Sequence, residues 1–162
     1  MRLTAFSDYT LRVLIYLALN PERLVTIQAI AESYGISENH LMKVVHHLAR
    51  TGLIETVRGK GGGMRLARPP AAIGLGEVIR STESDGPIVE CMGEANQCRI
   101  TRSCALAGIL TGAFDRFYAY LEAYTLADLI AKPQPLQRLL HIPPPPTTLP
   151  KPSLRASKSG SA

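Results

Sequence analysis

All three cysteines of the 162-residue chain lie between Cys91 and Cys104, in the spacing C-x6-C-x5-C. Thiolates are soft ligands that suit iron–sulfur clusters, zinc and copper(I), and three of them in one short loop can wrap a single centre without distant help. A fourth ligand then has to come from elsewhere. The spacing matches neither the C-x2-C knuckles of structural zinc nor the four-cysteine runs of ferredoxins, which argues against an electron carrier. The competing reading is three small apolar fillers, or one disulfide plus a spare thiol. Glu90, Glu94, Asn96, Gln97, Arg99 and Arg102 surround the cysteines with polar groups, unlike a core, and favour the cluster loop.

A chain of this length holds one domain with a real core, or a small domain plus a long arm and tail. The longest wholly apolar run, Val13 to Leu19, is too short to cross a bilayer, so a cytoplasmic protein without membrane contact is expected. Thiols stay reduced in that compartment, where clustered cysteines bind metal or sense redox state. The net charge of +5 is unevenly spread. Residues 1–70 carry 9 Lys/Arg against 5 Asp/Glu, residues 71–142 carry 6 against 8, and residues 143–162 carry 3 against none. A basic N-terminal half is the electrostatic footprint of a phosphate-backbone binder.

In chain order, Phe6, Val13, Leu14, Leu17 and Ala18 share one face of a first helix, with Ser7 as its expected cap and Asn20-Pro21 as its end. Asp8 and Arg12, four apart, can pair on that helix. Thr26 caps a second helix that stops at Gly35, and Ser37 caps a third through Leu41, Val44, Val45 and Leu48. Two short helices joined by Tyr34-Gly35-Ile36 form a helix-turn-helix, in which Ser37, Asn39, His40 and Lys43 face away from the apolar stripe toward DNA. Next come a strand over 53–57, the turn Arg58-Gly-Lys-Gly-Gly-Gly63 and a returning strand over 64–67, the hairpin of a winged helix. Arg58, Lys60 and Arg65 put positive charge on that wing. The glycine turn lacks the Lys-Ser/Thr ending and following helix of a P-loop.

A short helix over 74–81 leads to the cysteines. Beyond them Leu106, Leu110, Ala113, Phe117, Tyr120 and Tyr124 recur at spacings of four and three, the seam of a long helix that needs a partner; a helix-turn-helix protein usually meets two half-sites as a dimer. Thr125 caps a short stretch over 126–130 that Pro133 and Pro135 are expected to break. The fold class is therefore mainly α: a winged helix-turn-helix head (1–83), a cysteine cluster loop (84–104), a dimerisation helix and C-terminal segment (105–142), and a disordered Pro/Ser/Lys tail (143–162).

The opening Leu3-Thr-Ala-Phe-Ser-Asp-Tyr-Thr-Leu-Arg-Val-Leu-Ile-Tyr-Leu-Ala18, the wing Val57-Arg-Gly-Lys-Gly-Gly-Gly-Met-Arg-Leu66, the cysteine triplet and Tyr124-Thr-Leu-Ala-Asp-Leu129 resemble the NsrR/IscR family. These are dimeric winged-helix repressors that hold an iron–sulfur cluster, and the likeness, from Met1 to about His141, is greatest to the NsrR branch, whose members sense nitric oxide. The resemblance implies that Cys91, Cys98 and Cys104 bind one cluster per subunit, [2Fe-2S] or [4Fe-4S]. It implies Asp8 as a fourth ligand donated by the other subunit, with Arg12 beside it. The IscR branch carries a histidine three residues after the last cysteine, where this chain has Ala107. The implied function is a homodimeric repressor that leaves its operator when nitric oxide attacks the cluster.

Two other functions compete. An iron–sulfur, redox or metal-sensing regulator of the same fold, responding to another signal, differs in colour or effector. An enzyme, for example a thiol oxidoreductase, is not expected: the spacing is not C-x-x-C, and His40, His46, His47 and His141 all lie outside the loop.

Overall fold

The structure, a computed structural model, describes residues 2–83 and 86–143. Helices α1 (Ala5–Ala18), α2 (Ile27–Tyr34) and α3 (Glu38–Arg50) precede the strands β1 (Ile54–Val57) and β2 (Gly63–Leu66), and α4 (Leu75–Thr82) closes the head. A long α5 (Leu106–Glu122) and two short helices, α6 (Leu126–Leu129) and α7 (Pro133–Leu139), follow the cysteine segment. This is the expected mainly α, winged helix-turn-helix class. None of the described helices is long and apolar enough to cross a membrane.

The local signals explain most boundaries. The Thr26 and Ser37 hydroxyls accept the N–H groups of Ala29 and His40, and α2 ends at Gly35. The start of α1 differs from expectation. Thr4, not Ser7, is the cap and accepts the Ser7 N–H at 3.2 Å, so the helix begins one turn earlier and Ser7 is fully buried inside it. The prolines also act differently from the expected break. Pro133 opens α7, a position where its missing N–H would have had no helical partner anyway.

Strands β1 and β2 pair antiparallel with Ile54 opposite Leu66 and Val57 opposite Gly63. Gly59 and Gly61 in the turn have φ of 101° and 78°, a region that side chains avoid, which is why this wing is built from glycine. Val25 flanks β2 on its outer edge, an isolated antiparallel bridge made by reciprocal bonds with Met64 of 2.9 and 2.8 Å.

The core lies where α1, α3 and α4 meet, around Leu14, Leu17, Leu41, Leu48, Ile73 and Val78. After α5 the chain returns to this core. The Leu126 N–H reaches the Ile73 carbonyl at 2.8 Å, Tyr124 accepts from Leu75 at 2.9 Å, and Leu126 is completely buried. Gly76 lets α5 approach α4: a Cβ there would sit 2.6 Å from Glu122 Cγ and 3.1 Å from its backbone nitrogen. Arg80 locks the crossing, pairing with Glu122 at 2.9 Å and stacking 4.0 Å above the Tyr118 ring. The expected disordered tail lies, from residue 144 on, outside the described residues.

Candidate functional site

Three elements carry the candidate site residues: the outer face of α3, the wing, and the cysteine segment with α1. On α3, burial of Leu41, Val44, Val45 and Leu48 turns Ser37, Asn39, His40 and Lys43 outward, and all four are exposed. Met42, half exposed, stands among them.

At the wing tip Arg58 and Lys60 are exposed. Arg65 is exposed as well, but it lies opposite Glu55 across the strands and pairs with it at 2.9 Å, so much of its field is cancelled locally. Arg58→Ala or Lys60→Ala should weaken DNA binding uniformly across sequences and lower the slope of log affinity against log salt by roughly one each. Arg65→Ala should change the slope less. Titrations at several salt concentrations check this, and an unchanged slope in both tip variants removes the wing from the interface.

Behind α3, His47 Nε2 lies 3.3 Å from the Ser81 hydroxyl and its ring meets the Phe6 edge at 5.4 Å. Burial, with Arg50 and His46 adding, lowers its pKa, so His47 is a neutral packing group between α3, α1 and α4.

The cysteine segment is shaped by its own polar residues. The Glu90 carboxylate accepts the Gln97 N–H at 3.0 Å, Asn96 Oδ1 accepts the Cys98 N–H at 2.9 Å, and the Thr101 hydroxyl donates to the Cys98 carbonyl at 2.8 Å. Cys91, Cys98 and Cys104 are all free and all half-buried. Half-exposed in a polar segment, they do not pack as core fillers, and as accessible soft donors they fit an iron–sulfur centre. Among the described residues of one chain, no three His, Cys, Asp or Glu side chains gather as a metal group.

Asp8 is held by Arg12 through Oδ1 to Nε at 3.1 Å and Oδ2 to Nη2 at 2.9 Å, and both side chains are partly exposed. The Arg12 guanidinium lies 5.6 Å from the Tyr34 ring centre. Burial, partly offset by Arg12, pushes the Tyr34 phenol up to about 12, so it remains neutral.

One residue that the sequence did not mark ties these parts together. Glu83, at the end of α4 and just before the cysteine segment, accepts bonds from the Thr4 N–H at 2.9 Å, the Thr4 hydroxyl at 3.1 Å and the Ser7 hydroxyl. Burial raises its pKa, but these bonds outweigh burial and hold it below the ordinary carboxylate value. A depressed folded pKa means that this stabilisation is complete above the unfolded pKa of about 4.3 and is lost as pH falls through the lower folded value. Glu83→Gln should accordingly flatten the acid limb of stability against pH. Thermal melts from neutrality to acid pH show it, and parallel curves for the two proteins count against the latch.

Residues 3–132 match the Rrf2 family, described as an iron-dependent transcriptional regulator. The HTH-type transcriptional regulator NsrR of Bacillus licheniformis is 47% identical over 142 residues, 86% of this chain and 99% of that protein. NsrR of Bacillus subtilis is also 47% identical, covering 86% and 97%. Among solved structures, T. potens IscR superposes with a TM-score of 0.67 at 25% identity, over 85% of this chain and 91% of that one. The chain belongs to the Rrf2 family of iron-dependent transcriptional regulators, and within it is a regulator of the NsrR type.

Proposed function

We propose that this protein is a nitric-oxide-sensing repressor that binds operator DNA as a homodimer, each subunit holding one iron–sulfur cluster through Cys91, Cys98 and Cys104. The observation that carries the reading is the donor set: three free, half-exposed thiols in one polar segment of a chain 47% identical to NsrR regulators. The Asp8 carboxylate of the partner subunit would complete the ligand set. Three thiolates and one carboxylate would hold the cluster there, and it would supply an iron that is open to a small strong-field ligand such as nitric oxide on the side of the hard carboxylate.

The chain's own residues give that event a mechanical outlet. Asp8 sits on α1, oriented by Arg12, in the head that carries α3 and the wing. Through Glu83, the same α1 is tied to the residue that leads into the cysteine segment. Release of Asp8 would free one subunit's head from the other's loop, and the two recognition helices would lose the spacing of about one helical turn that matches both half-sites. Helix α5 supplies the dimer contact: none of its residues is buried in the single chain, and Leu106, Ile109 and Tyr120 are exposed on it. Of the polar neighbours of the cysteines, Glu90 and Asn96 already accept loop amides, whereas the Asp8 carboxylate is engaged only by the side chain of Arg12.

The test is purification without oxygen, a visible absorption spectrum with iron and sulfide assay, and an operator titration before and after nitric oxide. Visible absorbance with an operator affinity that nitric oxide abolishes is the expected result. A colourless zinc or thiol protein, or a coloured one indifferent to nitric oxide, overturns the reading.

A further inference from the structure

We propose that His40 reads a purine N7 in the major groove through its Nε2–H, and that Ser37 sets the tautomer placing the proton there. The inference rests on the operator-binding reading above. The Ser37 hydroxyl is the cap of α3: its oxygen accepts the His40 backbone N–H at 3.4 Å and lies 3.1 Å from His40 Nδ1. A hydroxyl that already accepts an N–H still has its own proton to give, and Nδ1 is the acceptor within reach. Donation to Nδ1 occupies that lone pair, so the neutral imidazole carries its proton on Nε2.

The ring is also supported from α1. The Tyr9 ring lies 6.0 Å away at an interplanar angle of 37°, which limits the ring's swing. His40 thus presents one donor of fixed position on the exposed opening turn of α3, where recognition helices meet base edges. A lone donor suits an acceptor: both purines offer N7 in the major groove and thymine offers O4, whereas cytosine presents only its amino donor, and a 7-deaza purine separates N7 from O4. Lys43, one turn on, is a mobile charge better suited to phosphate, which carries no sequence information. The hydroxyl that starts the helix therefore also selects what the helix reads, a specific role for Ser37 as a positioning residue.

The test uses the full chain, purified without oxygen, to select duplexes from a randomised pool, followed by titrations of the selected duplex. Wild type should fix a purine at one symmetry-related pair of positions. Replacing that purine by its 7-deaza analogue should weaken wild type by about fivefold, the size of one neutral hydrogen bond, and leave His40→Ala unaffected. Ser37→Gly, which an N-cap tolerates, should lose the same preference, and Ser37→Thr, which keeps the hydroxyl, should restore it. Histidine-selective nitrogen NMR of the free protein should show the His40 proton on Nε2 in wild type and Ser37→Thr, and a mixture of tautomers in Ser37→Gly.

A pool from His40→Ala that keeps the purine, a loss in that variant that is equal for all sequences, or a proton on Nδ1 overturns the inference alone. Failure of wild type to select any sequence overturns the operator-binding reading and this inference with it.

Discussion

Cys98→Ala is expected to give a folded protein without visible absorbance whose operator affinity has dropped toward its non-specific level, roughly 10³-fold or more. Cys91→Ala and Cys104→Ala should behave alike, because the proposed set of three thiolates and one carboxylate has no spare ligand. Folding should survive. Each thiol is only half-buried, and the core around Leu14, Leu48 and Val78 is built by other segments. Unfolding should therefore shift by less than about 1 kcal/mol, the range of substitutions away from the core. Absorbance, iron content, a denaturation curve and an operator titration on each variant separate the two effects. A variant that keeps full absorbance removes its cysteine from the ligand set, and one that unfolds shows that the segment is structural.

Asp8→Ala is expected to act on coupling. If Asp8 were only the surface partner of Arg12, its loss would alter stability by at most about 1 kcal/mol and leave the response to nitric oxide intact, since both side chains are substantially exposed. As a bridge between subunits it does more. The variant should still dimerise through α5 and hold a cluster, yet bind its operator roughly 5- to 150-fold more weakly, the usual span of a coupling between two sites. Nitric oxide should then cause little further loss. Titrations of wild type and Asp8→Ala at matched iron content, with and without nitric oxide, decide it: equal affinities and responses return Asp8 to a helix-surface ion pair.

What was legible in the sequence is what depends on neighbours in the chain. The caps Thr26 and Ser37, the stop at Gly35, the glycine-built wing turn and the apolar face of α3 each rest on residues within about one turn of each other, so the sequence determined them by itself. The two misplaced signals, Ser7 as a cap and the prolines as breakers, are also local: Thr4 and Ser7 both suit one cap, and a proline that cannot continue a helix can open the next one. The cysteine spacing likewise marked three candidate ligands and left a fourth open.

Tertiary structure decided the rest, because it joins residues far apart in the chain. No periodicity reveals that the chain returns after α5 to bury Leu126 against Ile73, or that Gly76 is there so that Glu122 can approach. Nor does it show Arg65 neutralised by Glu55, His47 packed between three helices, or Glu83 fastening the start of α1 to the entrance of the cysteine segment. An acidic residue in a polar stretch has no signature of its own. Glu83 becomes a latch only when folding brings the Thr4 amide and hydroxyl, 79 positions away, within hydrogen-bond distance of its carboxylate.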